Sequence, residues 1–150
     1  MCAAATRIIV EDSVYDQVVE GMVKNVEGLS FGYWRDGDFN KGPVISQNQL
    51  DKIMAFIETG KKEGANLVTG GKRMDKPGFF VEPTVFADCK RDMTIVQEEI
   101  FGPVVTVQKF SSGEGNVEEA LAIANDSKYG LVGGVFTQDK SKANQVVRKL

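Results

Sequence analysis

Three side chains have the types and spacing to act on a small organic ligand: Cys2, Glu99 and Phe101. The last two sit in Gln97-Glu98-Glu99-Ile100-Phe101-Gly102-Pro103-Val104, where paired carboxylates and a ring come just before a Gly-Pro turn and an apolar run. Gly102-Pro103 breaks any helix arriving from Met93–Gln97 and fixes the entry of the following strand, so the side chains before it are presented at a strand edge. In an extended segment the two-residue spacing puts Glu99 and Phe101 on one face, where a carboxylate accepts from a diol while the ring packs beside it. A ribose carrying a flat base is such a partner. By itself, however, an acidic turn with one Phe is more often a solvated cap with one core residue.

Cys2 is followed by three alanines, so nothing bulky shields its thiol, which suits a nucleophile. A cysteine beside alanine is more commonly a small buried hydrophobe, and the residues alone leave both readings open.

The elements that position these groups alternate. Thr6–Val10 reads as a strand, and Ser13 with Asp16 reads as a capping box opening a helix to about Gly28. Residues 29–42 read as an aromatic-rich loop. Ser46 with Gln49 forms a second capping box, opening a helix from Gln47 to about Glu63 that Gly64 stops. Asn66–Thr69 is a short strand, and Phe79–Val81 and Thr84–Phe86 are strand-like pieces parted by Glu82-Pro83. Val104–Phe110 is the clearest strand. Asn116 caps a helix through Asn125, Tyr129–Thr137 reads as a glycine-rich strand, and Asp139 opens the last helix. This order predicts an α/β fold, a parallel sheet with helices on both faces.

With 150 residues, 42% hydrophobic and 26% charged, the chain has enough apolar content for one core. A net charge of -3 without a long basic cluster argues against nucleic acid, and no apolar run is long enough to span a membrane. The absence of histidine removes Cys-His pairs and the commonest zinc ligand, so no metal is expected. Cys2 and Cys89 form no C-x-x-C and read as thiols in a cytoplasmic chain.

The octapeptide resembles the Glu-Glu-Ile-Phe-Gly-Pro-Val segment of the aldehyde dehydrogenase superfamily. Met1-Cys2-Ala3-Ala4-Ala5-Thr6-Arg7 resembles that family's catalytic-cysteine motif. Gly42-Pro43-Val44-Ile45-Ser46, Leu67-Val68-Thr69-Gly70-Gly71, Glu82-Pro83-Thr84-Val85, Asn125-Asp126-Ser127-Lys128-Tyr129-Gly130-Leu131 and Gly134-Val135-Phe136-Thr137 follow in the family's order. The aromatic loop departs from its usual Gly-Asp-Pro run.

The resemblance implies that residues 1–150 are a partial catalytic domain whose coenzyme-binding Rossmann half, general base and oxyanion Asn lie outside the chain. It implies Cys2 as the nucleophile attacking an aldehyde, Glu99 and Phe101 as contacts to the nicotinamide ribose and ring of NAD or NADP, and hydrolysis of a thioester to the acid. It further implies a homodimeric or homotetrameric parent, with a weak lean of the cysteine segment toward betaine- or lactaldehyde-like enzymes and an isolated chain that is inactive. An interaction module, or a slow cysteine esterase acting through Cys2, are the alternatives. Arg7 is expected in a structural ion pair, and Cys89 as structural.

Overall fold

The computed structural model describes residues 3–33, 35, 37 and 40–150. Cys2, Trp34 and Phe39 lie outside the described residues.

Strands β1 (Arg7–Glu11), β2 (Asn66–Thr69), β3 (Thr84–Ala87) and β4 (Val104–Phe110) form one sheet in the order β1-β4-β3-β2. β4 runs parallel to both neighbours, with Arg7 opposite Thr106 and Thr84 opposite Val104. β2 is antiparallel to β3, with Leu67 opposite Phe86, so the sheet is mixed rather than wholly parallel. The antiparallel edge is irregular between Leu67 and Thr69, and Gly70 and Gly71 just after it both take positive φ, where the chain leaves the strand.

Side-chain alternation divides the core. Val85 and Ala87 of β3 and Val107 of β4 join Val10 and Tyr15 under α1 (Tyr15–Glu27). Phe86 and Val104 point the other way, onto α2 (Gln47–Lys62) and the single turn α3 (Thr94–Gln97), with Leu50, Ile53, Ile57, Ile95 and Val96. Helices therefore cover both faces, as expected. At Gly60 of α2 an added Cβ would lie 2.8 Å from Ile95 Cδ1, so the missing side chain is what lets α3 seat against α2.

Several local expectations change. Ser13 does not cap α1: its hydroxyl donates to Glu11 Oε1 (2.9 Å) within a 3-10 turn over Asp12–Val14, and α1 starts at Tyr15. The Asp12 carboxylate is engaged by a distant partner, the Ser112 N–H (3.0 Å). Helix α4 (Asn116–Ala124) has Gly115 at its N-cap, while the Asn116 amide donates to Glu11 Oε2 (3.1 Å). Ser46 caps α2 as expected, accepting from the Gln49 N–H at 3.2 Å. Asp139 caps α5 (Lys140–Val147).

Residues 129–137 form no strand. Leu131, Val132 and Phe136 are exposed there, and β-branched or aromatic sequence makes a strand only where a half-buried surface receives it. Phe79–Val81 contributes only a single bridge, Arg73 to Val81. In the aromatic loop, Tyr33 donates to the Pro77 carbonyl (2.8 Å) and packs edge-on to Phe80, a local cluster.

Candidate functional site

The Glu99–Phe101 segment leads into β4 from the short turn α3. Ile100 is buried, while Glu99 and Phe101 on either side of it are exposed. Contrary to the extended segment that the two-residue spacing requires, Phe101 has φ 51°, in the left-handed region, so both side chains are exposed without strand alternation setting their faces.

The helix α2 side of the segment is closely held. Gln49 Nε2 donates to the Phe101 carbonyl at 2.9 Å and to the Ile100 carbonyl at 3.4 Å. Gly102 presses on Ile53, one helical turn beyond Gln49, so closely that an added Cβ would lie 2.5 Å from Ile53 Cδ1. The Pro103 carbonyl accepts from the Thr84 N–H at 2.8 Å, tying the turn to β3.

On the other side, Glu98 is held by the loop after α4. Lys128 Nζ lies 2.6 Å from Glu98 Oε1, and the Tyr129 hydroxyl donates to Oε2 at 3.1 Å. The hydrogen bond from Lys128, then that from Tyr129, lowers the Glu98 pKa below the usual glutamate range. The same pairing raises the Lys128 pKa. Gln97 Nε2 donates to the Arg91 carbonyl (2.6 Å), and Arg91 pairs with Asp126 at 2.9 Å.

Arg7 also reaches this loop, and not through an ion pair. Its guanidinium donates to the carbonyls of Ile123 (2.9 Å), Ala124 (3.2 Å) and Asp126 (3.5 Å), neutralising the negative end of α4. The start of β1 is anchored to β4 as well, since the Thr106 N–H donates to the Thr6 carbonyl at 2.9 Å. Thr6 stands four residues after Cys2 in sequence, and Thr106 five after Phe101. Parallel pairing of β1 with β4 therefore brings the strand that follows the cysteine segment beside the strand that follows Glu99 and Phe101.

An exposed carboxylate and an exposed ring thus stand two positions apart on a braced backbone. Gln49, Lys128 and Tyr129 escaped the sequence reading because their roles depend on contacts 30 to 52 positions away. The Ser46–Gln49 box located Gln49 on its helix without revealing where its amide points.

Cys89 is buried with its thiol against the Phe86 carbonyl at 3.4 Å, and burial pushes its pKa up to about 11, which suits a structural thiol and not a nucleophile. A concavity of about 470 Å³ between α1 and the β2–β3 edge is lined by Tyr15, Asp16, Glu20, Asn66 and Asp88 among others, and includes neither Glu99 nor Phe101. No described helix is long and apolar enough to cross a membrane.

Comparison with known proteins bears on the whole chain. Residues 1–150 match the aldehyde dehydrogenase family model. The betaine aldehyde dehydrogenase of Bacillus subtilis is 43% identical over 154 residues, and aldehyde dehydrogenase family 2 member C4 of Arabidopsis thaliana is 42% identical over 150. Among solved structures, betaine aldehyde dehydrogenase of Staphylococcus aureus in complex with NAD+ superposes with a TM-score of 0.94 at 43% identity. In each case the whole of this chain is covered, but only 31%, 29% and 30% of the respective relative, so the chain spans about three tenths of their length. A family match over all 150 residues, strong identity and a shared backbone agree with the braced Glu-Glu-Ile-Phe-Gly-Pro turn: this chain belongs to the aldehyde dehydrogenase family.

Proposed function

We propose that this chain supplies the nucleophile and the nicotinamide-side contacts of an NAD(P)-dependent aldehyde dehydrogenase, acting as a partial catalytic domain with a coenzyme-binding half that the 150 residues do not include. The observation that carries the reading is the placement of Glu99 and Phe101, both exposed around buried Ile100 just before β4, the strand that pairs with β1. NAD+ in the Staphylococcus aureus relative supports the choice of coenzyme.

In this reading Cys2 adds its thiolate to the carbonyl carbon of an aldehyde, and the carbonyl electron pair moves to oxygen. The nicotinamide, when bound, supplies the two-electron oxidation. The acyl group then leaves Cys2 to water, giving the carboxylic acid and the free thiol. Glu99 accepts from the ribose hydroxyls, and Phe101 packs against the flat ring and excludes water from it. The names of two relatives make a quaternary ammonium aldehyde the first substrate to assay.

Thiol reactivity tests the local part of this reading. Alkylation with iodoacetamide over a pH series, with mass spectrometry to assign the site, should give a Cys2 midpoint below the ~8.5 of a free thiol. A Cys2 that titrates as a free thiol, or reacts no faster than Cys89, would put its activation outside these 150 residues and leave this chain a structural fragment. A second reading, an interaction module without catalysis, is favoured by the exposed Leu131, Val132 and Phe136. Sedimentation of the chain as a stable oligomer with an unactivated Cys2 would support it instead.

A further inference from the structure

Phe101 is one of two non-glycine residues with positive φ among those described, the other being Asp88. Asp88 is held in that conformation through its own polar groups: its carboxylate pairs with Lys109 (3.1 Å) and accepts from the Asn66 amide (3.2 Å), and its N–H donates to the Tyr15 hydroxyl at 2.7 Å. A phenylalanine ring offers no hydrogen bond, so left-handed backbone at Phe101 must be imposed from outside.

We propose that Gln49 is a positioning residue for the coenzyme site: its side-chain amide, donating to the carbonyls of Ile100 and Phe101, holds Phe101 left-handed and so aims the exposed ring. This rests on the coenzyme reading of Glu99 and Phe101. The two carbonyls flank the strained residue, so one amide fixes both ends of the unit whose rotation would swing the ring. The Gln49 backbone is fixed in the first turn of α2, its N–H donating to Ser46 Oγ, and Ile53 one turn on packs too closely on Gly102 to leave it room. The strain is thus borne by contacts from a helix about fifty residues earlier in the chain. Without the amide, Phe101 returns to ordinary β backbone and its exposed ring is turned to another direction.

The test pairs a conformational with a kinetic readout. In the 150-residue chain, left-handed backbone brings the Phe101 amide and α protons together and gives a strong intraresidue nuclear Overhauser effect. Gln49→Met, which keeps length and loses the donor, should abolish it, while the Ile53 methyl signals persist. Retention of the strong effect in Gln49→Met overturns the proposal.

In the full polypeptide that carries these residues, Gln49→Met should slow single-turnover coenzyme reduction, per titrated active thiol, by about five- to tenfold. The KM for coenzyme should stay within about twofold, because orientation rather than affinity is lost. A merely structural Gln49 would lower the melting temperature and leave the single-turnover rate unchanged, which overturns the proposal. Glu99→Gln and Phe101→Leu are made alongside. If both leave that rate unchanged, the coenzyme reading fails and this proposal with it; if they slow it and Gln49→Met does not, this proposal fails alone.

Discussion

Lys128 Nζ stands 2.6 Å from Glu98 Oε1, joining the loop after α4 to the residue directly before Glu99. With Tyr129 on the other carboxylate oxygen, one side chain receives two donors from a single loop. The Glu98 pKa is depressed, so this pairing stabilises the fold above the ordinary glutamate range and is lost as pH falls through the lowered folded value. The Lys128 pKa is raised, so its share is complete below the ordinary lysine range and is lost as pH rises through the raised folded value. An NMR titration of the Glu98 carboxyl should give a midpoint below that of an unpaired glutamate. Lys128→Met should move it upward, and Lys128→Met with Tyr129→Phe should move it further.

Cys89 should behave in the opposite sense to Glu98. Its thiol is raised by burial from an ordinary 9.0 to about 11, so between these values the folded chain keeps a proton that the unfolded chain has lost. Stability therefore falls as pH rises through that window. Urea denaturation should show the loss in the parent and less of it in Cys89→Ala, and iodoacetamide should label Cys89 slowly until the chain unfolds.

Gly102→Ala places a methyl group 2.5 Å from Ile53 Cδ1 and should destabilise the fold by about 1–3 kcal/mol. Ile53→Val in the same chain should recover part of that loss, because the two sites share one contact. Purely additive denaturation energies would show that the overlap is relieved elsewhere.

Arg7→Met removes the guanidinium from the α4 carbonyls and should cost about 1–2 kcal/mol by thermal or chemical denaturation. Amide exchange should quicken first at the end of α4 and in residues 125–129. If the loss were instead uniform over the chain, Arg7 would not be acting through α4.

Ser46→Ala should cost about 1 kcal/mol by loss of the N-cap. Because the same first turn carries Gln49, it should also weaken the left-handed signature at Phe101. A drop in melting temperature with an unchanged Phe101 signature would separate the cap from the clamp.

The alternation of strand and helix, the Ser46 and Asp139 caps and the span of β4 were all legible in the residues, because each depends on local propensity and side-chain period. Family membership was legible too, through the order of short motifs. What the residues could not show was set by contacts distant in sequence. Ser13 and Asn116 looked like caps and were diverted to Glu11, and Asp12 was claimed by Ser112. Residues 129–137 had strand composition but nothing to pack against, and β2 turned antiparallel at the sheet edge. Tertiary structure alone decided that Phe101 is left-handed, because the force that holds it comes from Gln49 and Ile53 on a helix about fifty residues earlier.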